Sequence, residues 1–210
     1  MKIVVCSCGS PSLPVFEASV RAYAPEHELI VHHVERSTFG QCYNAAMEEA
    51  FKDSEEIIIS NDDVVITPWT IPILLEDVRA IKEHGFEKIG FVATYADFAK
   101  KHQNIQYVPE ENRLNQITQS AMVLPIFAWF NRQAFEEAQF PPLNWFSDDV
   151  ICEDLNRKGY SHFISRTHVH HVGSTTTGRD EKKLTEDSLP WLKENRPEYV
   201  KMWFNNWSEL

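Results

Sequence analysis

Three polar clusters carry the side chains with which this chain could do chemistry: Asn61-Asp62-Asp63, Asp148-Asp149, and the histidines His168, His170 and His171. Neighbouring carboxylates offer hard oxygen ligands to a divalent cation such as Mg²⁺ or Mn²⁺, and Mn²⁺ also accepts an imidazole nitrogen. A carboxylate within reach of a hydroxyl can instead serve as a general base. The pattern predicts Asp63 as a direct metal ligand with Asp62 beside it, and His170 or His171 as a second ligand. Each cluster also has a plainer reading. Asn-Asp-Asp after a strand is ordinary turn chemistry, because Asn and Asp bond their own backbone and tolerate turn dihedrals. Ser147 or Asp148 could simply cap a helix, a contribution of about 1 kcal/mol. On a strand His168 and His170 share one face and His171 takes the other, so at least one of them is structural or exposed.

The first cluster belongs to the stretch 55–66, EEIIISNDDVVI. Ile57, Ile58 and Ile59 read as a strand buried on both faces, which delivers two carboxylates at its C-terminal end, where open α/β sheets bind ligands. Upstream, strands at 2–8 and 28–34 alternate with helices at 14–24 and 41–52, and Ser12 can cap the first helix. That is a βαβαβ half with right-handed crossovers. Downstream, Thr67-Pro68-Trp69 opens a helix to about residue 84, a strand covers 88–93, and 94–117 reads mostly as loop. The apolar run 121–130 contains Pro125, which predicts an edge strand or a bulge. Asn131 caps a helix over 132–138, a rigid Phe-Pro-Pro-Leu linker follows, and a helix over 150–158 stops at Gly159. A late strand over 160–172 ends in the histidines. A Gly/Ser/Thr loop, 173–178, then leads to a helical tail in which Trp203 and Trp207 stand at core-packing spacing.

With 210 residues the chain is long enough for one sizeable core, or one domain with an appended tail. The formal net charge of −11 argues against broad, non-specific attraction to nucleic acid or an anionic membrane. It also means that a bound diphosphate needs a metal or a few placed cations. Cys6 and Cys8 form a C-x-C, with Cys42 and Cys152 far off. Without a CxxC pair the pattern indicates reduced thiols rather than zinc. No stretch approaches the roughly 20 apolar residues of a membrane span and no signal-peptide layout is present, so a soluble, cytoplasmic protein is expected.

The order of these motifs resembles that of GT-A glycosyltransferases of the family-2 type over most of the first 175 positions. Phe39-Gly40-x-x-x-Asn44-x-Ala46 is similar to the family's glycine-to-asparagine helix start. Asn61-Asp62-Asp63 is similar to its DxD-like metal motif, with asparagine in the first position. Residues 127–135, FAWFNRQAF, resemble the acceptor-side strand and helix. Trp145-Phe146-Ser147-Asp148-Asp149, with Asp154-Leu155 and Gly159-Tyr160, resembles the segment carrying the catalytic base, although the usual arginine is out of register. His170-His171-Val172-Gly173-Ser174 resembles the histidine segment that follows.

The resemblance implies a GT-A (nucleotide-diphospho-sugar transferase) fold, in which a mixed, mostly parallel sheet is flanked by helices and followed by a C-terminal helical tail. The catalytic domain would span 1–178, with a nucleotide-binding half at 1–66 and an acceptor and base half at 88–178, and the tail would span 179–210. It implies metal-dependent, inverting transfer of a sugar from a nucleoside-diphosphate sugar to a hydroxyl. Asp149, or Asp148, would be the base, and Asp63 with His170 or His171 would hold Mn²⁺ or Mg²⁺. Ser7, Cys8, Gly9, Ser10, Glu35 and Arg36 would lie along the nucleoside, Gly40, Asn44, Asn61 and Asp62 would complete the donor site, and Arg179 would supply a cation from a closing loop. The acceptor stays open among glycan, protein, small molecule and hydroxymethylated DNA base. A nucleotidyltransferase or phosphohydrolase with the same acidic site is the competing enzyme class, although Gly9-Ser10-Pro11-Ser12 supplies one glycine and no cation for a phosphate loop. A non-catalytic nucleotide-sugar-binding protein is the third reading.

Overall fold

The computed structural model describes residues 1–34, 37–107, 114–173 and 180–204. The βαβαβ half forms as its apolar pattern predicts: β1 (Lys2–Ser7), α1 (Leu13–Tyr23), β2 (Glu28–His33), α2 (Phe39–Ala50) and β3 (Glu56–Ser60). β1 pairs in parallel with β2 on one side and β3 on the other. Ile57, Ile58 and Ile59 are wholly buried. Because strand side chains alternate between faces, these three serve two cores. Ile57 and Ile59 pack with Tyr43, Ala46 and Met47 of α2, whereas Ile58 packs with Phe16 and Val20 of α1. α3 (Thr70–Glu83) joins the second core through Ile71, Leu74 and Val78. Each such buried aliphatic chain contributes about 1.5–3 kcal/mol, so a one-residue slip of β3 would forfeit several at once.

The remaining elements are β4 (Val64–Val65), β5 (Ile89–Ala96), β6 (Thr118–Ser120), β7 (Phe127–Asn131), α4 (Arg132–Glu137), α5 (Ser147–Arg157) and β8 (Ser161–His171). Among the described residues they complete an eight-stranded sheet of order β2-β1-β3-β7-β5-β8-β4, with β6 also on β8. β7 runs antiparallel to β3 and β5, β5 runs parallel to β8, and β4 and β6 run antiparallel to β8. It follows that β1, β2, β3, β5 and β8 share one direction and end at one edge of the sheet. The sheet is therefore mixed and mostly parallel, with α1 and α3 on one face and α2 and α5 on the other.

Several local expectations are corrected. The run containing Pro125 is no edge strand: β7 begins at Phe127, past the proline, and lies in the middle of the sheet between β3 and β5. Pro125 thus leaves the ladder intact. α2 starts at Phe39 because Thr38 and Gln41 form a capping box, a Thr-x-x-Gln signal present in the sequence. The Ser12 hydroxyl makes no capping bond to α1. α5 begins at Ser147 rather than near 150, after Phe146 in the left-handed conformation, φ 65°. Ser147 does not cap it; its hydroxyl donates to the Pro141 and Leu143 carbonyls, 3.1 Å each.

The tail forms α6 (Glu181–Asn195) and α7 (Pro197–Trp203). Leu192 and Tyr199 pack on Leu143 and Val150, and Trp203 stacks on Phe146 with ring centroids 6.1 Å apart. Arg196 grips Asp154 of α5 with two bonds, 3.1 and 2.8 Å. Trp203 takes the expected packing role, and Trp207 lies outside the described residues.

Candidate functional site

The shared strand direction carries Ser7, the Asn61-Asp62-Asp63 turn, Asp97 and the histidines to the ends of β1, β3, β5 and β8. β4 pairs back onto β8, with Val64 opposite His171 and Val65 opposite His170. That register brings Asp63 Oδ1 to 3.1 Å from His171 Nε2, with both side chains almost wholly enclosed at 6% and 9% exposure. Asn61 Nδ2 lies 3.3 Å from the same ring nitrogen. On its other side, His171 Nδ1 is 2.7 Å from the Phe98 carbonyl. A carbonyl only accepts, so Nδ1 carries the hydrogen and Nε2 is the nitrogen presented to Asp63. Burial lowers the proton affinity of His171, but Asp63 and the Phe98 carbonyl outweigh it and leave the pKa raised. Asp62 is buried too, which raises its pKa against the opposing effect of a hydrogen bond with the Ser7 hydroxyl.

His170 occupies the opposite side of the strand. Its side chain is 60% exposed, and its Nδ1 is 3.0 Å from Asp97 Oδ2. The other oxygen of Asp97 accepts the His171 backbone N–H at 2.7 Å. Burial alone would raise the Asp97 pKa, but these bonds hold it below the usual range. Asp97 and Phe98 open a segment that the sequence pattern assigned to loop. Two buried amides anchor it. Gln103 donates to the Thr94 and Leu124 carbonyls, 2.8 and 2.7 Å, and accepts from Leu124 N–H at 2.7 Å. Asn104 donates to the Asp97 carbonyl at 3.1 Å. Losing either amide would orphan buried backbone groups at about 1–3 kcal/mol each, so 97–104 is a bracket rather than a free loop. Gly173, with φ 75°, lies so close that a Cβ there would fall 1.9 Å from the Phe98 ring.

The bracket also reaches α5. Lys100 Nζ lies 2.7 Å from Asp149 Oδ1, the two side chains being 40% and 19% exposed. Asp148 and Asp149 occupy the first turn of α5, where unpaired N–H groups and the helix dipole favour negative charge. Even so, burial and the neighbouring charge of Asp149 push the Asp148 pKa up to about 7, with Lys100 offsetting part of the rise. The two acids therefore differ: Asp149 sits against an ammonium, while Asp148 holds its proton to near neutral pH.

Other expected site residues are placed as follows. Ser7 is buried beside Asp62, Gly9 N–H bonds back to the Ser7 hydroxyl at 3.2 Å, and Cys8 and Gly9 are exposed. Ser10 accepts from Ser12 N–H at 3.2 Å. Gly40 and Asn44 are engaged with the chain itself. A Cβ at Gly40 would fall 1.8 Å from the Pro141 carbonyl oxygen, and the Asn44 amide exchanges two bonds with Phe140, 2.8 and 3.0 Å. Glu35, Arg36, Arg179 and the loop residues 174–178 lie outside the described residues. Among those described, no group of three or more His, Cys, Asp or Glu side chains converges, and no helix is long and apolar enough to cross a membrane.

No protein-family profile and no curated protein matches the chain. Solved structures match it in shape. The crystal structure of A197 from STIV superposes with a TM-score of 0.55 at 15% identity, covering 83% of this chain and 86% of that one. GalNAc-T7 with UDP, GalNAc and Mn²⁺ gives 0.56 at 12% identity, over 96% of this chain and 57% of that one. S. aureus TarS 1-349 in complex with UDP-GlcNAc gives 0.54 at 14% identity, over 80% and 57%. The chain has the GT-A glycosyltransferase fold. It spans under two thirds of the TarS and GalNAc-T7 chains it matches. Within this GT-A sheet, the histidine that meets Asp63 is His171, and the bracket residues Asp97 and Phe98 are neighbours that no motif in the sequence marks. A signal for Asp97 was present: it follows the end of a strand, as Asp62 and Asp63 do.

Proposed function

We propose that the chain is a metal-dependent, inverting glycosyltransferase that moves a sugar from a nucleoside-diphosphate sugar to an acceptor hydroxyl. The observation that supports this most is the enclosed Asp63–His171 pair at the ligand-binding edge, linked through one bracket to the Asp148-Asp149 turn. The residues present suit a divalent cation: a carboxylate oxygen and an imidazole nitrogen converge, and a carbonyl fixes the imidazole tautomer from behind. A cation held by Asp63 and His171 would supply Lewis-acid neutralisation of the charge developing on the diphosphate.

The chain's own residues supply the rest. Ser7, Cys8, Gly9 and Ser10 line the nucleoside side, with Asn61 and Asp62 toward the ribose. Lys100 holds one oxygen of Asp149 at 2.7 Å, and the Asp149 carboxylate takes the acceptor proton as the acceptor oxygen bonds to the anomeric carbon. The bond from that carbon to the diphosphate oxygen breaks in the same displacement, which inverts the centre and releases the nucleoside diphosphate. We assign this chemistry to a domain at 1–178, with Glu35, Arg36 and Arg179 as further donor-side candidates, His170 as the other metal-ligand candidate, and 179–210 as a supporting tail. A screen of UDP-sugars with Mn²⁺, reading hydrolysis and transfer, tests the reading. Asp149→Asn should retain UDP binding and lose about 10²–10⁴-fold in turnover. Unchanged turnover would remove the base from Asp149.

A further inference from the structure

Two carboxylates at the start of α5 are equally close in sequence to any acceptor, yet their surroundings differ. Lys100 bonds Asp149 Oδ1 at 2.7 Å, and Oδ2 has no hydrogen-bond partner among the described residues. Lys100 is not a free surface lysine that happens to reach an acid. It stands on the bracket between Phe98, which bonds His171, and Gln103, whose three backbone bonds fix the segment to β5 and to the turn before β7. The ammonium is thus delivered to Asp149 from the same rigid piece of chain that orients the histidine.

We propose that Lys100 is the positioning residue that selects Asp149 over Asp148 as the proton acceptor. By occupying Oδ1 it fixes the orientation of the carboxylate and leaves Oδ2 for the hydroxyl. The charged and titratable groups around the pair are Asp148 on the same helix, Lys100 and His102 on the bracket, and Cys152 one turn along α5. Of these, Lys100 is the cation in hydrogen-bond contact. The proposal rests on the glycosyltransferase reading for its catalytic meaning, but not for its test.

The experiment compares wild type, Lys100→Met and Lys100→Arg in two readouts. The first is the ¹³C titration of the Asp148 carboxyl with both acids present, which needs no activity. Lys100 lowers the Asp148 pKa, so Lys100→Met should raise that midpoint further and Lys100→Arg should restore it. The second is UDP-sugar hydrolysis with Mn²⁺, where Lys100→Met should lower turnover by about tenfold or more with UDP affinity unchanged and Lys100→Arg should recover it. An unmoved Asp148 midpoint, with a loss of hydrolysis that Lys100→Arg does not recover, would reduce Lys100 to a structural contact and overturn the proposal. A shifted midpoint in a protein that hydrolyses no UDP-sugar would support the positioning role and remove the glycosyltransferase reading.

Discussion

Asp62-Asp63 follows a strand and Asp148-Asp149 opens a helix, yet the two pairs divide their labour alike. In each, the first acid is pushed toward its protonated form by burial and by its neighbour's charge. The second acid in each meets a basic side chain, at 3.1 Å for Asp63 with His171 and 2.7 Å for Asp149 with Lys100. The difference lies in those partners. An imidazole can release the proton it shares with Asp63 and present a lone pair in its place, so that pair can become a metal site. An ammonium has no lone pair to offer while charged, so Lys100 can hold Asp149 in place but adds no ligand for a metal. In the proposed reading the same motif at one edge is split into a cation end and a proton end, joined by residues 97–104.

The comparison breaks most visibly at the cation end. Asp63→Ala should cost about 10³-fold in Mn²⁺-dependent UDP-sugar hydrolysis, equivalent to about 4 kcal/mol of lost transition-state stabilisation. A loss of tenfold or less would mean that the two pairs do not differ as described. A smaller effect sharpens the proton end. The folded-state pKa of Asp148 is raised from 3.8 to about 7, so the folded protein binds a proton that the unfolded chain has already released between those values. Stability from this group is complete below about pH 4 and is lost as pH rises through 7. Asp148→Asn should therefore stabilise the protein at pH 8, by about 1–2 kcal/mol once solvent screening of a half-buried group is allowed for. The gain should vanish near pH 4, as read by thermal or urea unfolding. An equal gain at both pH values would assign the effect to packing instead of charge.

Much of this was legible in the residues, and the gaps have physical causes. The βαβαβ half was readable because its apolar periodicity is local, and the C-terminal strand ends followed from it. Asp97 was missed because Thr94 and Tyr95 interrupt the apolar run of β5 with polar groups, although the strand continues to Ala96. Gln103 and Asn104 look like surface residues in sequence, since a long-range carbonyl partner leaves no local trace. Which of His170 and His171 meets Asp63 depended on the pairing of β4 with β8, a register set by tertiary contacts far apart in the chain. Pro125 misled because the central strand begins just beyond it. Gly40 and Asn44 carried the spacing of a family motif, but in the structure they tie α2 to the segment before α5.

The central claim is that Asp63 and His171 form the cation end, and the most direct measurement is UDP affinity by calorimetry with and without Mn²⁺. Wild type should bind UDP at least tenfold more tightly with Mn²⁺ present, and His171→Gln should lose that enhancement while its affinity without metal stays within about twofold. UDP binding that is indifferent to Mn²⁺ in wild type, or an enhancement that survives in His171→Gln, would contradict it.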